Sequence, residues 1–187
     1  MTSSVRGYAY FTTIAQPTER VFAAFTDKQS VERWYAVEAT IEPRRGGRFR
    51  VRLKDKRVRD ATIDIWEPGR RLRLIYMPEG GDALPKAPPA AAMVEDILFD
   101  AKDGGTVVRV LGAGVPEDRE WDGYLRWLRS AWGYWLTELK RLLEASATPA
   151  PTPSPPPVTT PPAPAGRNNA RSGSTGRSGS SRRRGPR

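Results

Sequence analysis

The chain has 187 residues, with 31 Lys and Arg against 21 Asp and Glu, and it contains neither cysteine nor histidine. Without cysteine there is no disulfide framework, thiolate nucleophile or thiolate metal site; without histidine there is no imidazole triad, no usual zinc or haem ligation, and no access to the commonest general base. Composition also divides the chain, because every acidic residue precedes Ala145 and nine of the 18 prolines fall within residues 149–164. These features predict one globular domain over 1–146 and a disordered tail over 147–187, Pro-rich at first and then rich in Arg, Ser and Gly.

The first predicted element is a strand, VRGYAYFTTI, in which Tyr8, Tyr10, Thr12 and Ile14 alternate with Ala9, Phe11 and Thr13. Pro17 then opens a short helix whose Val21, Phe22 and Phe25 share a face, and Asp27 to Tyr35 reads as a second helical turn with Ser30 as its cap. Val37, Ala39 and Ile41 alternate as a strand, closed by Pro43 and the Gly46-Gly47 pair. The cleanest period of two comes next: Arg48, Arg50, Arg52 and Lys54 against Phe49, Val51 and Leu53, a strand with one buried and one cationic face. Strands over residues 57–66 and 70–77 continue the meander through the turn EPGRR, and a loop over 78–89 follows. Two more strands, 93–100 and 106–112, are joined by the turn KDGG.

The domain closes with DREWDGYLRWLRSAWGYWLTELKRLLE, read as one long amphipathic helix capped by Asp118. Tyr124, Leu125, Leu128, Trp132, Trp135, Leu136, Leu139, Leu142 and Leu143 form its apolar stripe. A strand, two short helices, six strands and a long helix make an α+β domain, with the last helix laid across the apolar face of an antiparallel sheet.

The run IAQPTERVFAAFTDKQSVERWY, the GGRFRV strand, the EPGRRLRLIY turn and strand, the DGGTVVRV hairpin and the ending WGYWLTELKRLL, taken in that order, resemble the START-like (SRPBCC) superfamily. Within it they are most similar to the branch of Activator of Hsp90 ATPase homologues. The resemblance implies a helix-grip fold: a curved antiparallel sheet wrapped around the C-terminal helix, often with an apolar cavity between them. It also implies the functions found in that superfamily, which include hydrophobic-ligand carriers, polyketide cyclases or aromatases, and a co-chaperone domain. Where family members often carry polar residues after the last strand, this chain has Gly112, Ala113 and Gly114.

On this reading Trp34, Phe49, Val51, Leu74, Tyr76, Ile97, Phe99, Val108 and Val110 face inward opposite Trp132 and Leu136. That set either packs solid or lines the cavity for a small hydrophobic molecule. Tyr76 and Tyr10 are its polar handles, since a buried tyrosine hydroxyl needs a partner. Trp127 and Tyr134, at the edge of the helix stripe, are read first as a partly covered flank, with the rim of a cavity entrance or a contact with another subunit as the alternatives. Glu95 or Asp96 is expected to face Arg109 as a surface ion pair. Residues 44–73 hold 12 Lys and Arg against four acids. Arg48, Arg50, Arg52, Arg59 and Arg73 therefore suggest a cationic sheet face.

The tail suits a non-specific anionic partner. No motif for a metal, nucleotide or redox cofactor is present, no catalytic residue stands out, and no window is long enough to span a membrane. The expectation is a cytoplasmic, non-enzymatic binding domain, with a protein-interaction module and a cyclase-like enzyme as the alternatives.

Overall fold

The computed structural model describes residues 4–76 and 92–145. The expected loop over 78–89 and the tail over 147–187 lie outside the described residues. Seven strands form one antiparallel sheet in the order β1-β7-β6-β5-β4-β3-β2. They are β1 (Val5–Ile14), β2 (Glu38–Ile41), β3 (Arg48–Arg52), β4 (Val58–Glu67), β5 (Arg71–Tyr76), β6 (Met93–Lys102) and β7 (Gly105–Pro116). Two short helices, α1 (Thr18–Thr26) and α2 (Lys28–Trp34), connect β1 to β2, and α3 (Asp122–Ala145) follows β7. This is the helix-grip architecture, with the apolar stripe of α3 buried together with the inward side chains of the sheet.

The local chemistry explains most boundaries. α2 begins one residue after Asp27, whose carboxylate accepts from the Ser30 backbone N–H at 2.8 Å. The cap is therefore Asp27 and not Ser30: a carboxylate three residues ahead reaches the exposed N–H, whereas Ser30 already lies inside the helix. The long helix also differs from expectation. Asp118 precedes a 3-10 turn, Arg119–Trp121, and α3 proper starts at Asp122. The tighter turn seats Trp121 in the core at 1% exposure.

The free edge of β1 is covered by α3. Arg129 donates to the Gly7 carbonyl at 3.3 Å, Lys140 donates to the Thr13 carbonyl at 2.8 Å, and Glu144 accepts from the Ala15 N–H at 3.0 Å. Those polar side chains stand where another strand would otherwise pair. A bulge between Ile63 and Ile65 shifts β4 against β5, so the simple alternation of Ile63 and Ile65 is broken and Trp66 comes to stack edge-on against Phe22 at 5.2 Å.

Candidate functional site

All eleven residues predicted to face inward do so, each at most 4% exposed. They do not enclose a purely apolar space. On β4, Arg59 shares the inward parity of Ala61 and Ile63, and on β6, Glu95 shares that of Met93, Ile97 and Phe99. These two charges meet in the core at 2.8 Å, with side chains 4% and 2% exposed. Glu95 also accepts from the Tyr76 hydroxyl at 2.7 Å, from the Trp132 indole N–H at 2.7 Å, and from the Tyr8 hydroxyl. Arg59 donates to the Tyr35 hydroxyl at 2.5 Å, and its guanidinium lies 4.2 Å from the centre of the Tyr76 ring. Its Nε has no hydrogen-bond partner among the described residues.

The charge states follow from this geometry. Burial pushes the Glu95 carboxyl up, but the Arg59 guanidinium and the hydrogen bonds it receives outweigh burial and hold it below the ordinary carboxylate range. Arg59 is disfavoured by burial yet held firmly protonated by Glu95 and the surrounding tyrosines. Burial raises the hydroxyls of Tyr8, Tyr35, Tyr76 and Tyr124, so all four stay neutral. The result is a charge-neutral polar plug between the sheet and α3. It joins β1 and β4 to β6, and both to the helix.

The plug also accounts for Gly112. Tyr8 crosses over it from β1, and a methyl group at position 112 would overlap the Tyr8 ring. Gly112→Ala is expected to displace that ring, free its hydroxyl from Glu95, and cost about 1–3 kcal/mol in urea unfolding. In a Tyr8→Leu background, where the ring is already gone, the same substitution should cost much less; equal costs in both backgrounds would show that the two residues act independently.

Beside the plug lies an open pocket of about 280 Å³. Its walls are Trp34 and Tyr35 from the end of α2, Leu53, Lys54 and Asp55 from the β3–β4 turn, and Trp127, Ser130, Ala131, Tyr134 and Trp135 from α3. Tyr35 and Trp135 form the partition: both line the pocket, Tyr35 is bonded to Arg59, and the Trp135 ring centre is 5.9 Å from the Arg59 guanidinium. The two rings meet edge-on at 4.6 Å, and Tyr35 stacks on Trp34 at 5.1 Å. Arg57 covers the Trp127 ring at 4.3 Å. Of the eleven predicted residues only Trp34 lines this pocket, but Trp127 and Tyr134 do rim it.

Two expectations about charge are corrected. Glu95 does not face Arg109; Arg109 pairs with Asp100 at 2.7 Å, and Asp96 with Arg71 and Arg73 at 2.5 and 2.9 Å. Nor do Arg48, Arg50, Arg52, Arg59 and Arg73 form one free cationic sheet face among the described residues. Arg59 points inward, while Arg48 and Arg50 approach Asp60 at 2.5 and 3.7 Å and Arg52 meets Glu38 at 2.9 Å. Acids on neighbouring strands pair with these arginines, Asp60 being shared by Arg48 and Arg50, as cross-strand pairing favours.

No group of three or more His, Cys, Asp or Glu among the described residues could hold a metal ion, and no described helix is long and apolar enough to cross a membrane. The seven-stranded antiparallel sheet and its long C-terminal helix make this a helix-grip domain of the START-like superfamily. Residues 15–144 match the family model described as Activator of Hsp90 ATPase homolog 1-like protein, and the chain belongs to that family. No protein of curated function matches the sequence.

Solved structures of the same fold include protein MLL2253 from Mesorhizobium loti, at 19% identity and a TM-score of 0.65 over 76% of this chain and 100% of that one. Another is the Aha1 dimer from Colwellia psychrerythraea, at 12% identity and 0.64 over 76% and 99%. A third is CalU16 from Micromonospora echinospora, at 21% identity and 0.59 over 78% of each. At these identities they establish the fold alone.

Proposed function

We propose that the domain binds a small aromatic molecule in the pocket between α2, the β3–β4 turn and α3, as a carrier and not as a catalyst. The observation that carries this reading is the ring of five aromatic side chains, Trp34, Tyr35, Trp127, Tyr134 and Trp135, around a space of about 280 Å³. Tyr134, 54% exposed, stands where this space opens to solvent. The volume is at the low end of ligand sites, which run from about 300 to 1,000 Å³, so it suits a molecule of one or two rings and not a long acyl chain. Lys54 and Asp55 offer polar contacts at one end. Trp34 is then the predicted residue that touches the ligand, and the other ten hold the walls that frame the site.

The charge states favour holding over turnover. A general acid or base works best with a pKa near the working pH, whereas here the buried carboxyl is pushed down and the buried arginine and tyrosines are pushed up. All four bonded donors of Glu95 are also committed within the fold.

The test is a titration of the full-length chain with 2-naphthol, which is uncharged at neutral pH and so is not drawn to the arginines of the tail. Tryptophan emission should respond saturably, because Trp34, Trp127 and Trp135 line the pocket. Ala131→Phe should fill the space and weaken binding by at least about tenfold, or 1.4 kcal/mol, with the urea midpoint unchanged. Equal affinity in both proteins would sink the assignment. Native mass spectrometry of the chain purified gently from its own host should in addition show a small molecule lost on denaturation.

A further inference from the structure

The pocket between α2, the β3–β4 turn and α3 has aromatic walls and an unmatched charge at its mouth. The turn that supplies this charge is closed tightly. The Leu53 carbonyl accepts from the Lys56 N–H at 3.0 Å, the Leu53 N–H donates to the Arg57 carbonyl at 2.8 Å, and the Leu53 side chain is anchored in the core at 3% exposure. Lys54 and Asp55 occupy the two central positions of the turn, and both line the pocket.

The two differ in what they are free to bind. Asp55 is committed within the turn: its carboxylate accepts from the Arg57 backbone N–H at 3.1 Å and pairs with the Arg57 side chain at 3.4 Å, the same side chain that covers the Trp127 ring. Lys54 has no such partner, since among the described residues no acid lies within ion-pair distance of it. The acid it acts on is Glu138, one turn beyond Tyr134 on α3, and that carboxylate is held first by Arg141, at 2.9 Å. Both acids therefore have a cation of their own, and the Lys54 ammonium is left over.

We infer that the ligand of this pocket is an aromatic acid, a molecule of one or two rings whose carboxylate pairs with Lys54 while its ring lies among the tryptophans. The inference rests on the binding reading above and narrows its ligand class. A ring seated in the pocket displaces water from the inner side of Lys54. A neutral ligand returns nothing for that loss, and a cationic one adds repulsion from Lys54 and Arg57. A carboxylate instead supplies the missing counter-charge through a charge-assisted hydrogen bond. The aliphatic stem of Lys54 can lie along the edge of a ring while its ammonium stays at the rim, so the acid group sits at the wet end of the ligand and the ring at the dry end. Lys54 is then a residue that sets specificity. Because the pair stays partly open to solvent, its effect is modest and weakens with salt.

Tryptophan emission of the full-length chain, titrated at low salt with 2-naphthoate and separately with 2-naphthol, tests the inference; the two share a ring system and differ in charge at neutral pH. 2-Naphthoate should bind about fivefold more tightly. Lys54→Met keeps a flexible stem and removes the charge, so it should abolish that preference by weakening 2-naphthoate alone, with the urea midpoint unmoved. Lys54→Glu should reverse the preference. The tail is identical in all three proteins, so any attraction to its arginines cancels in the comparison. Saturable 2-naphthol binding that Ala131→Phe weakens, joined to equal or weaker binding of 2-naphthoate, overturns the inference and leaves the pocket standing. A preference for 2-naphthoate that survives both Lys54 substitutions also overturns it, because the carboxylate is then recognised elsewhere. Binding of neither molecule, or binding of both that Ala131→Phe leaves unchanged, removes the pocket reading and the inference with it.

Discussion

Glu95→Gln is expected to destabilise the domain by about 3–5 kcal/mol, because it leaves the Arg59 charge in the core with no counter-ion. Both side chains are almost wholly buried, so solvent screening does little to soften the loss. Removing both charges together, as Arg59→Met with Glu95→Met, is the informative comparison. An isolated buried ion pair can often be replaced by apolar groups at little cost. Here Glu95 also satisfies the hydroxyls of Tyr8 and Tyr76 and the indole of Trp132, and each stranded donor costs about 1–3 kcal/mol. The double variant should therefore recover only part of the stability, as read from urea unfolding. Full recovery would mean that the carboxylate serves only to balance Arg59.

The same carboxyl sets the behaviour in acid. Its pKa in the folded protein is depressed, so the stabilisation is complete above the unfolded value of about 4.3 and is lost as pH falls through the lower folded value. Asp60 and Asp96, held down by hydrogen bonds from Arg48 and Arg71, lose stability in the same direction. In Glu95→Gln the acid limb should be shallower than in the parent.

The second large effect is expected at Trp132, which is 2% exposed and ties α3 to the plug. Trp132→Ala should cost about 3–5 kcal/mol through the cavity it leaves. Trp132→Phe keeps much of the ring volume and removes the indole N–H, so it isolates a hydrogen bond to a charged acceptor worth about 1.5–3 kcal/mol. If the two substitutions cost the same, the polar contact dominates; if Phe is nearly silent, packing does. Unchanged stability in Trp132→Ala would be incompatible with α3 lying in the grip of the sheet.

Much of this fold was legible in the sequence because its signals are periodic. Phe49, Val51 and Leu53 against Arg48, Arg50 and Arg52 can only be a strand with one buried side, and that is how they sit. The stripe from Tyr124 to Leu139 likewise finds the core. The polar plug was harder to read because charge and parity gave opposite answers. Arg59 lies in a run of arginines that otherwise faces water, yet it stands two residues before Ala61 and four before Ile63, on the buried side of β4. Glu95 sits between Met93 and Ile97 in the same way. Parity was the signal in both cases, and it becomes decisive once two opposite charges occupy buried positions on different strands. The pocket was less accessible still. Lys54, Asp55 and Ala131 come together through the turn after β3 and the placement of α2 against α3, which no local pattern encodes.

The pairing of β1 with β7 has a consequence for how the protein is made. β1 leaves the ribosome before the other described strands, and among the described residues its partner in the sheet is β7, which begins at Gly105. At about 5–20 residues per second, roughly 5–20 s of synthesis separate the two strands. During that interval Tyr8, Tyr10 and Phe11 have no sheet to join, and Arg59 emerges well before Glu95. The domain therefore cannot be assembled progressively from its N-terminus: the nascent chain must hold its opening strand in reserve until the last strand and α3 arrive to close the sheet.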